Sequence, residues 1–458
     1  MKHIISILLI LLPTIVNAKQ GKNVIIKKLM NKKMYYSAGL YLIDELQNNR
    51  IKQDDDLLKN LETISNKIGL EIYSPLLKTK AIIYTPSFYY AKALFYFQKK
   101  SHDLALGMLS KVPPDHRLAA EASLVSAEIY NQKQNVIKAQ LVLSECNQLA
   151  INLRNKHKTI KAKRFYQLLA EKCLIHKARI LYSENKLDEA RALYESIDKR
   201  SFIWPHLIIE NAWTSYKIQD YNRTLGLAIT YKSPLLSDYF YPEAEALMAL
   251  AYFRLCLWED SNIVIENYYR NYKKKAASIK KIINQTKKKK IGFYELVTLS
   301  KSELTKIDPF LKKLIIQIRK KVKFNLDLHY LQSLKIEQER IRRFKRWPLP
   351  KIPTQLEKLK QNYIAELNFL TEAYMIAFIN KINSISYELF NIKLEIISRK
   401  KDLIYEKKKL VSDRSRGNFD NVNRRVDQYF WQFHGEFWAD ELGDYSFGLQ
   451  SNCEKTKE

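Results

Sequence analysis

The side chains with the clearest chemical potential gather near the C-terminus, where His434, Glu436, Asp440, Glu441 and Asp444 offer one imidazole and four carboxylates. Such donors can hold a divalent cation when they converge. A single histidine in an acidic, aromatic run reads instead as a surface or core residue, so no metal is expected. There is no Gly-x-Ser-x-Gly, no His-Glu-x-x-His and no glycine-rich phosphate loop. The other histidines stand singly in predicted helices or turns. The expectation is a non-enzyme with no catalytic residue and no cofactor. Four cysteines, Cys146, Cys173, Cys256 and Cys453, allow three full pairings, and nothing in the sequence selects one. As small apolar side chains, Cys146, Cys173 and Cys256 fit the interior of helices.

Charge adds a second kind of candidate. The net charge is +30, and residues 271–346 carry 23 Lys/Arg against 6 Asp/Glu, whereas residues 427–458 carry 2 against 7. The first stretch predicts a basic face that includes Lys287, Lys288, Lys289, Lys290, Arg342, Arg343 and Arg346. Such a face suits peptidoglycan acids or lipid phosphates. Nucleic acid matches the charge, but no reader motif is present and export argues against it. The acidic stretch holds the aromatic candidates for partner binding, Trp431, Phe433, Phe437, Trp438 and Tyr445, because rings dominate binding hot spots. The competing expectation has this tail folded back on the basic helices, its rings filling a groove, since so many exposed rings invite aggregation.

Residues 1–18 set the compartment. Lys2 and His3 precede an apolar run from Ile4 to Leu12, and Val16-Asn17-Ala18 supplies a cleavage site. The run is too short to span a bilayer, which takes about 20 residues. No cysteine stands at the cut site, so a lipoprotein is not indicated. No later stretch has transmembrane length. The expected location is the periplasm, or an association with the outer membrane.

The elements that must position these residues are helical. Glycine and proline number only 10 and 12 in 458 residues, too few for a turn-rich β fold. Ala93 and Ala127 are 34 residues apart, as are Ala105 and Ala139, and Ala178 and Ala190 begin a similar unit with Tyr194. Small residues at these positions let paired helices approach closely, while Tyr and Leu fill the space between them. The pattern covers about residues 30–270 and resembles the tetratricopeptide repeat, whose period is 34. It is degenerate, because the family's first-helix glycine is alanine here. Ala190 also follows Ala139 by 51 residues, which requires a longer or an extra helix around 145–172. The resemblance implies stacked helix pairs that bind peptides or helices.

After a basic linker at 271–307, residues 308–411 predict a long antiparallel hairpin. Asp308-Pro309 starts one helix, the Trp347–Pro353 stretch breaks it, and Thr354-Gln-Leu-Glu357 restarts another as a capping box. Ile382, Leu389, Ile396, Leu403 and Leu410 form a heptad seam with Ile385 and Ile392 between them, which predicts a coiled coil. The simplest arrangement projects this hairpin from the repeats and offers its overhang to a second copy. The ending at Trp431, Phe433, Gly435, Glu436, Trp438, Asp440 to Gly443 and Tyr445 is similar to that of tetratricopeptide proteins exported by predatory and gliding deltaproteobacteria. The resulting expectation is an all-α chain: signal peptide 1–18, a tetratricopeptide-like α-solenoid over 19–270, the basic linker and hairpin, and an aromatic segment over 412–458. Its expected role is a scaffold for proteins of a bacterial envelope complex. The alternatives are a protein binding anionic envelope polymers and an accessory subunit of a cell-wall enzyme.

Overall fold

A computed structural model describes residues 24–48, 50–289, 292–343, 349–406 and 435–453. The signal segment, Lys290, Arg346, Leu410, Trp431 and Phe433 lie outside these residues. Among the described residues the chain is helices joined by turns, with no strand, an all-α, solenoid-like repeat fold. In order they are α1 (24–31), α2 (Tyr35–Gln47), α3 (Asp55–Ile68), α4 (Ser74–Leu77), α5 (Pro86–Gln98), α6 (His102–Leu109) and α7 (Ala119–Gln132). There follow α8 (Val136–Lys156), α9 (Ile160–Ser183), α10 (Leu187–Glu195), α11 (Trp204–Lys217), α12 (Tyr221–Ile229), α13 (Glu243–Arg254) and α14 (Trp258–Tyr268). A π-helical turn, Tyr269–Lys273, leads directly into α15 (Lys274–Lys289). Last come α16 (Phe293–Val297), α17 (Lys301–Leu304), α18 (Pro309–Arg319), α19 (Val322–Arg342) and α20 (Lys351–Tyr405). No described helix is long and apolar enough to cross a membrane.

One turn occurs six times among the described residues. Lys33, Lys100, Gln134, Asn185, Gln219 and Cys256 all have left-handed backbone, with φ between 55° and 71°. At each, the residue's N–H donates to the carbonyl three back, and the next N–H to the carbonyl five back. Lys100 N–H meets Phe97 O and Ser101 N–H meets Tyr96 O, both at 2.9 Å. This C-terminal cap satisfies carbonyls that would otherwise be orphaned and turns the chain at once into the next helix. Each side chain held left-handed costs on the order of 1–2 kcal/mol, which the caps and the packing of the paired helices offset. The turns lie 34 residues apart from Lys100 to Gln134 and again from Asn185 to Gln219, so the period is carried by the backbone as well as by the alanines.

The chain forms two units, one of residues 1–173 and 326–366, the other of residues 174–325 and 367–458. In the first, α5 packs on α6 and α7 on α8, with Ala93, Ala105, Ala127 and Ala139 fully or almost fully buried. The 51-residue interval has a simple cause: α8 and α9 have 21 and 24 residues, far longer than their counterparts. Their extension is held by Asn147 donating to Ala170 O at 3.1 Å and by a Cys146–Cys173 disulfide. The helices do carry these cysteines inside, but as a bridge and not as free apolar side chains.

Also in the first unit, α19 pairs antiparallel with the start of α20. The Tyr330 and Tyr363 rings lie 6.0 Å apart, and Gln338 donates to Glu357 at 3.0 Å. The pair does not project. The Tyr36 hydroxyl donates to Tyr330 O at 3.1 Å, and Arg340 to Lys33 O at 3.2 Å, so α19 lies along α2.

In the second unit α11 packs on α12 and α13 on α14, and Ala178 and Ala190 are buried beside Leu181, Tyr194 and Leu207. The apolar stripe expected to make one helix from 308 to 346 is broken after Arg319. The Asn325 amide occupies the carbonyls of Arg319 and Lys321, which ends α18 and sets off α19. Phe240, at the repeat edge, meets Phe310 of α18 and Phe378 of α20 at 5.3 and 4.8 Å. Further on, the Tyr268 and Tyr269 hydroxyls donate to Ile382 O (2.9 Å) and Ser386 O (2.7 Å), and Lys381 pairs with Glu243 at 2.7 Å. The overhang of α20 is therefore bound by the repeats. Its heptad seam of Ile382, Ile385, Leu389, Ile392, Ile396 and Leu403 is buried there. The seam is covered within the chain by α13, α14 and the π turn.

Candidate interaction surface

The functional geometry of the second unit lies where the C-terminal segment meets the repeats. Asp220 caps α12 by accepting from Arg223 N–H at 3.0 Å, and Asn222, the second residue of the helix, reaches outward from the first turn. Its carbonyl accepts from Phe447 N–H at 3.0 Å. Its side-chain oxygen accepts from Leu449 N–H at 2.9 Å, and its amide nitrogen donates to Leu449 O at 3.0 Å. One asparagine thus holds two alternate residues of an extended segment through main-chain groups.

The other contacts follow the repeats in order. Lys199, before α11, donates to Asp440 O at 2.6 Å and pairs with Asp444. Arg223 donates to Tyr445 O at 3.1 Å and lies 3.8 Å from Glu195. Burial pulls the Arg223 guanidinium below its ordinary value, against the pull of Glu195 and Asp444. Beyond Asn222, Asn452 N–H donates to Leu255 O at 2.9 Å, and Cys453 is bonded to Cys256 in the left-handed turn between α13 and α14. Two glycines permit the close approach. A Cβ on Gly226 would stand 1.8 Å from Tyr445 O, and one on Gly443 (φ +83°) would stand 2.7 Å from the Trp204 ring.

Residues 435–453, the described part of the tail, are therefore docked on the repeats. Backbone pairing and a disulfide hold them, with aromatic burial secondary. The Phe437 ring meets Tyr445 edge-on at 5.8 Å, and the Tyr445 hydroxyl accepts from Trp438 N–H at 3.2 Å. Burial raises the Tyr445 pKa, and that hydrogen bond acts against the shift. Trp438 itself is 60% exposed. Among the described tail residues, the buried side chains are Leu442 and Asn452.

The expected basic patch divides between the units. Lys287 and Lys288 are exposed on α15 of the second, and Lys287 pairs with Glu372 at 2.5 Å. Lys289 closes the same helix. Arg342 ends α19 in the first unit and Arg343 follows it in a turn, and Arg342 pairs with Glu339 at 2.7 Å. On the outer side of α20, Tyr387, Phe390, Leu394, Ile397 and Ile404 are exposed. No group of three His, Cys, Asp or Glu among the described residues could hold a metal ion.

Sequence reasoning missed Lys199, Trp204, Asn222, Arg223 and both bridges. One signal was present, a glycine at position 226 within the helical repeats, which marks close backbone approach.

No protein-family model matches the chain, and no curated protein does. Twelve solved chains match. One is a circular tandem repeat protein with novel repeat topology and enhanced subunit contact surfaces, 10% identical, covering 83% of this chain and 91% of its own, with a TM-score of 0.17.

Proposed function

We propose that the chain is an exported, non-enzymatic scaffold of the tetratricopeptide kind, which binds other proteins within a bacterial envelope complex. One observation carries the reading: the stacked helix pairs hold an extended segment by its main chain, using side chains at helix starts and turns. A surface that recognises backbone in this way is suited to peptide ligands. Export is supported by the N-terminal pattern and by two disulfides, which persist in oxidising compartments such as the periplasm. The anionic-polymer alternative is weakened by Glu372 and Glu339, which already pair with Lys287 and Arg342.

Cell fractionation followed by crosslinked capture tests the proposal. The expected result is a chain beginning at Lys19 in the periplasmic or outer-membrane fraction, crosslinked to envelope proteins. A cytosolic chain that keeps Met1 and captures no envelope protein would overturn it.

A further inference from the structure

We infer that the Cys256–Cys453 bridge is a redox latch on the C-terminal arm, residues 435–453. A dithiol reductant opens it ahead of Cys146–Cys173 and releases the arm from its seat on α11–α14. The inference deepens the scaffold reading by naming a regulation of the same surface, and rests on that reading for the use of the surface once uncovered.

Three observations carry it. The two bridges differ in access. Cys146 and Cys173 are wholly buried inside the α8–α9 pair. Cys256 and Cys453 are both half-buried, one in the tight turn between α13 and α14, the other two residues beyond exposed Ser451. Thiol–disulfide exchange needs a thiolate to reach a bridged sulfur, so access decides which bridge reacts first. The arm also buries little. Among its described residues only the Leu442 and Asn452 side chains are buried. Main-chain hydrogen bonds to Asn222, Arg223 and Leu255, with Lys199 on Asp440 and Asp444, supply its other holds. Finally, the bridge ends that row of contacts. Lys199, Arg223 and Asn222 hold residues between 440 and 449, and the bridge fixes 453, so opening it frees the end of the arm next to Asn222.

In an oxidising compartment the latch stays closed. A dithiol opens it in two steps. Its first thiolate bonds to one bridged sulfur, and the other sulfur leaves and takes up a proton. Its second thiol then breaks the mixed disulfide, so that the reductant departs as a disulfide and both cysteines remain as thiols. Two electrons and two protons pass to the protein, and the arm is left with noncovalent contacts alone.

The test uses full-length oxidised protein without denaturant. Dithiothreitol is added, free thiols are trapped with N-ethylmaleimide at intervals, and the labelled peptides are weighed by mass spectrometry. Cys256 and Cys453 should be labelled at least tenfold faster than Cys146 and Cys173. While only the first pair is open, the Phe447 and Leu449 amides should exchange hydrogen at least tenfold faster than in oxidised protein, with α5 to α8 unchanged. Equal labelling of both bridges overturns the inference, as does an arm whose amides stay protected once its bridge is open. Cys453→Ser opens the latch without reductant or label and gives a second measurement. Its arm amides should exchange as fast as those of the reduced protein, and protection at the wild-type level overturns the inference. Arm release with no envelope protein captured by crosslinking would sink the scaffold reading and leave the latch standing. Capture by a protein whose arm stays docked after reduction would do the reverse.

Discussion

The Glu337 carboxylate caps α2 from α19, accepting from Ser37 N–H at 2.6 Å and the Ser37 hydroxyl at 2.7 Å. Its second oxygen accepts from Tyr36 N–H at 3.0 Å. The residue before α2, Met34, offers no side-chain cap, so this distant carboxylate satisfies donors the helix start leaves unpaired. Glu337→Gln keeps the shape but turns one acceptor into a donor facing N–H groups. Stability measured by urea unfolding should fall by about 1–3 kcal/mol, and an unchanged midpoint would remove Glu337 as the cap.

Glu62 serves α5 in the same way, accepting from Ser87 N–H at 2.7 Å and the Ser87 hydroxyl at 2.6 Å. Burial works to raise its pKa, but hydrogen bonds from His116 and Ser87 outweigh it and hold the carboxyl below its ordinary 4.5. A carboxyl depressed in the folded state stabilises above its unfolded pKa, and this contribution is lost as pH falls through the folded value. Between pH 6 and about 3, wild type should therefore lose more stability than Glu62→Gln, as compared by unfolding midpoints. Parallel curves would show that the depressed pKa makes no contribution.

Ala105 and Ala139 are fully buried between paired helices. Leucine at either position should overpack the pair and cost roughly 1–3 kcal/mol in thermal or chemical unfolding. Ala439, exposed in the tail, is the control and should tolerate leucine. Equal melting of all three variants would contradict close helix approach at these positions.

Gly226→Ala separates two opposite outcomes. In a helix unconstrained by neighbours, alanine is better than glycine by about 1 kcal/mol. Here the added carbon meets Tyr445 O, so the arm should be displaced. Hydrogen exchange at the Phe447 and Leu449 amides should accelerate at least tenfold, which corresponds to about 1.4 kcal/mol of lost protection. A stabilised protein with unchanged exchange would show that the arm does not lie on α12.

Replacing Cys146 and Cys173 together with alanine removes the staple on the extended α8–α9 pair, which closes a loop of sequence separation 27. The chain-entropy argument gives a loss of roughly 3–4 kcal/mol, to be read from chemical unfolding of the oxidised protein. A loss under about 0.5 kcal/mol would mean that the packing of the long helices holds the pair without its bridge.

Much of this fold could be read from local pattern. The alanines at 93, 105, 127 and 139, the helix start at Asp308-Pro309, and the heptad of Ile382 to Leu403 each act within a few helical turns, whereas α20 begins at Lys351, ahead of the expected restart at Thr354. Periodicity and capping are local chemistry, so they survive without knowledge of the partner surface. The left-handed turns were harder to see, since Lys, Gln and Cys stand where glycine is the usual signal, and only the fixed interval betrays them.

What tertiary structure alone decided is which apolar and polar faces meet. A heptad seam specifies that a helix must be covered, and within the chain α13, α14 and the π turn cover it. The tail's composition favoured a basic partner, yet exposed charge pairs are worth only about 0–1 kcal/mol and do not choose a docking site. Two glycines without Cβ, one asparagine with both amide atoms aimed at Leu449, and two cysteines within bonding reach made that choice. Each depends on residues more than 190 positions apart, and their encounter is written in the packing of the repeats, not in any stretch of sequence.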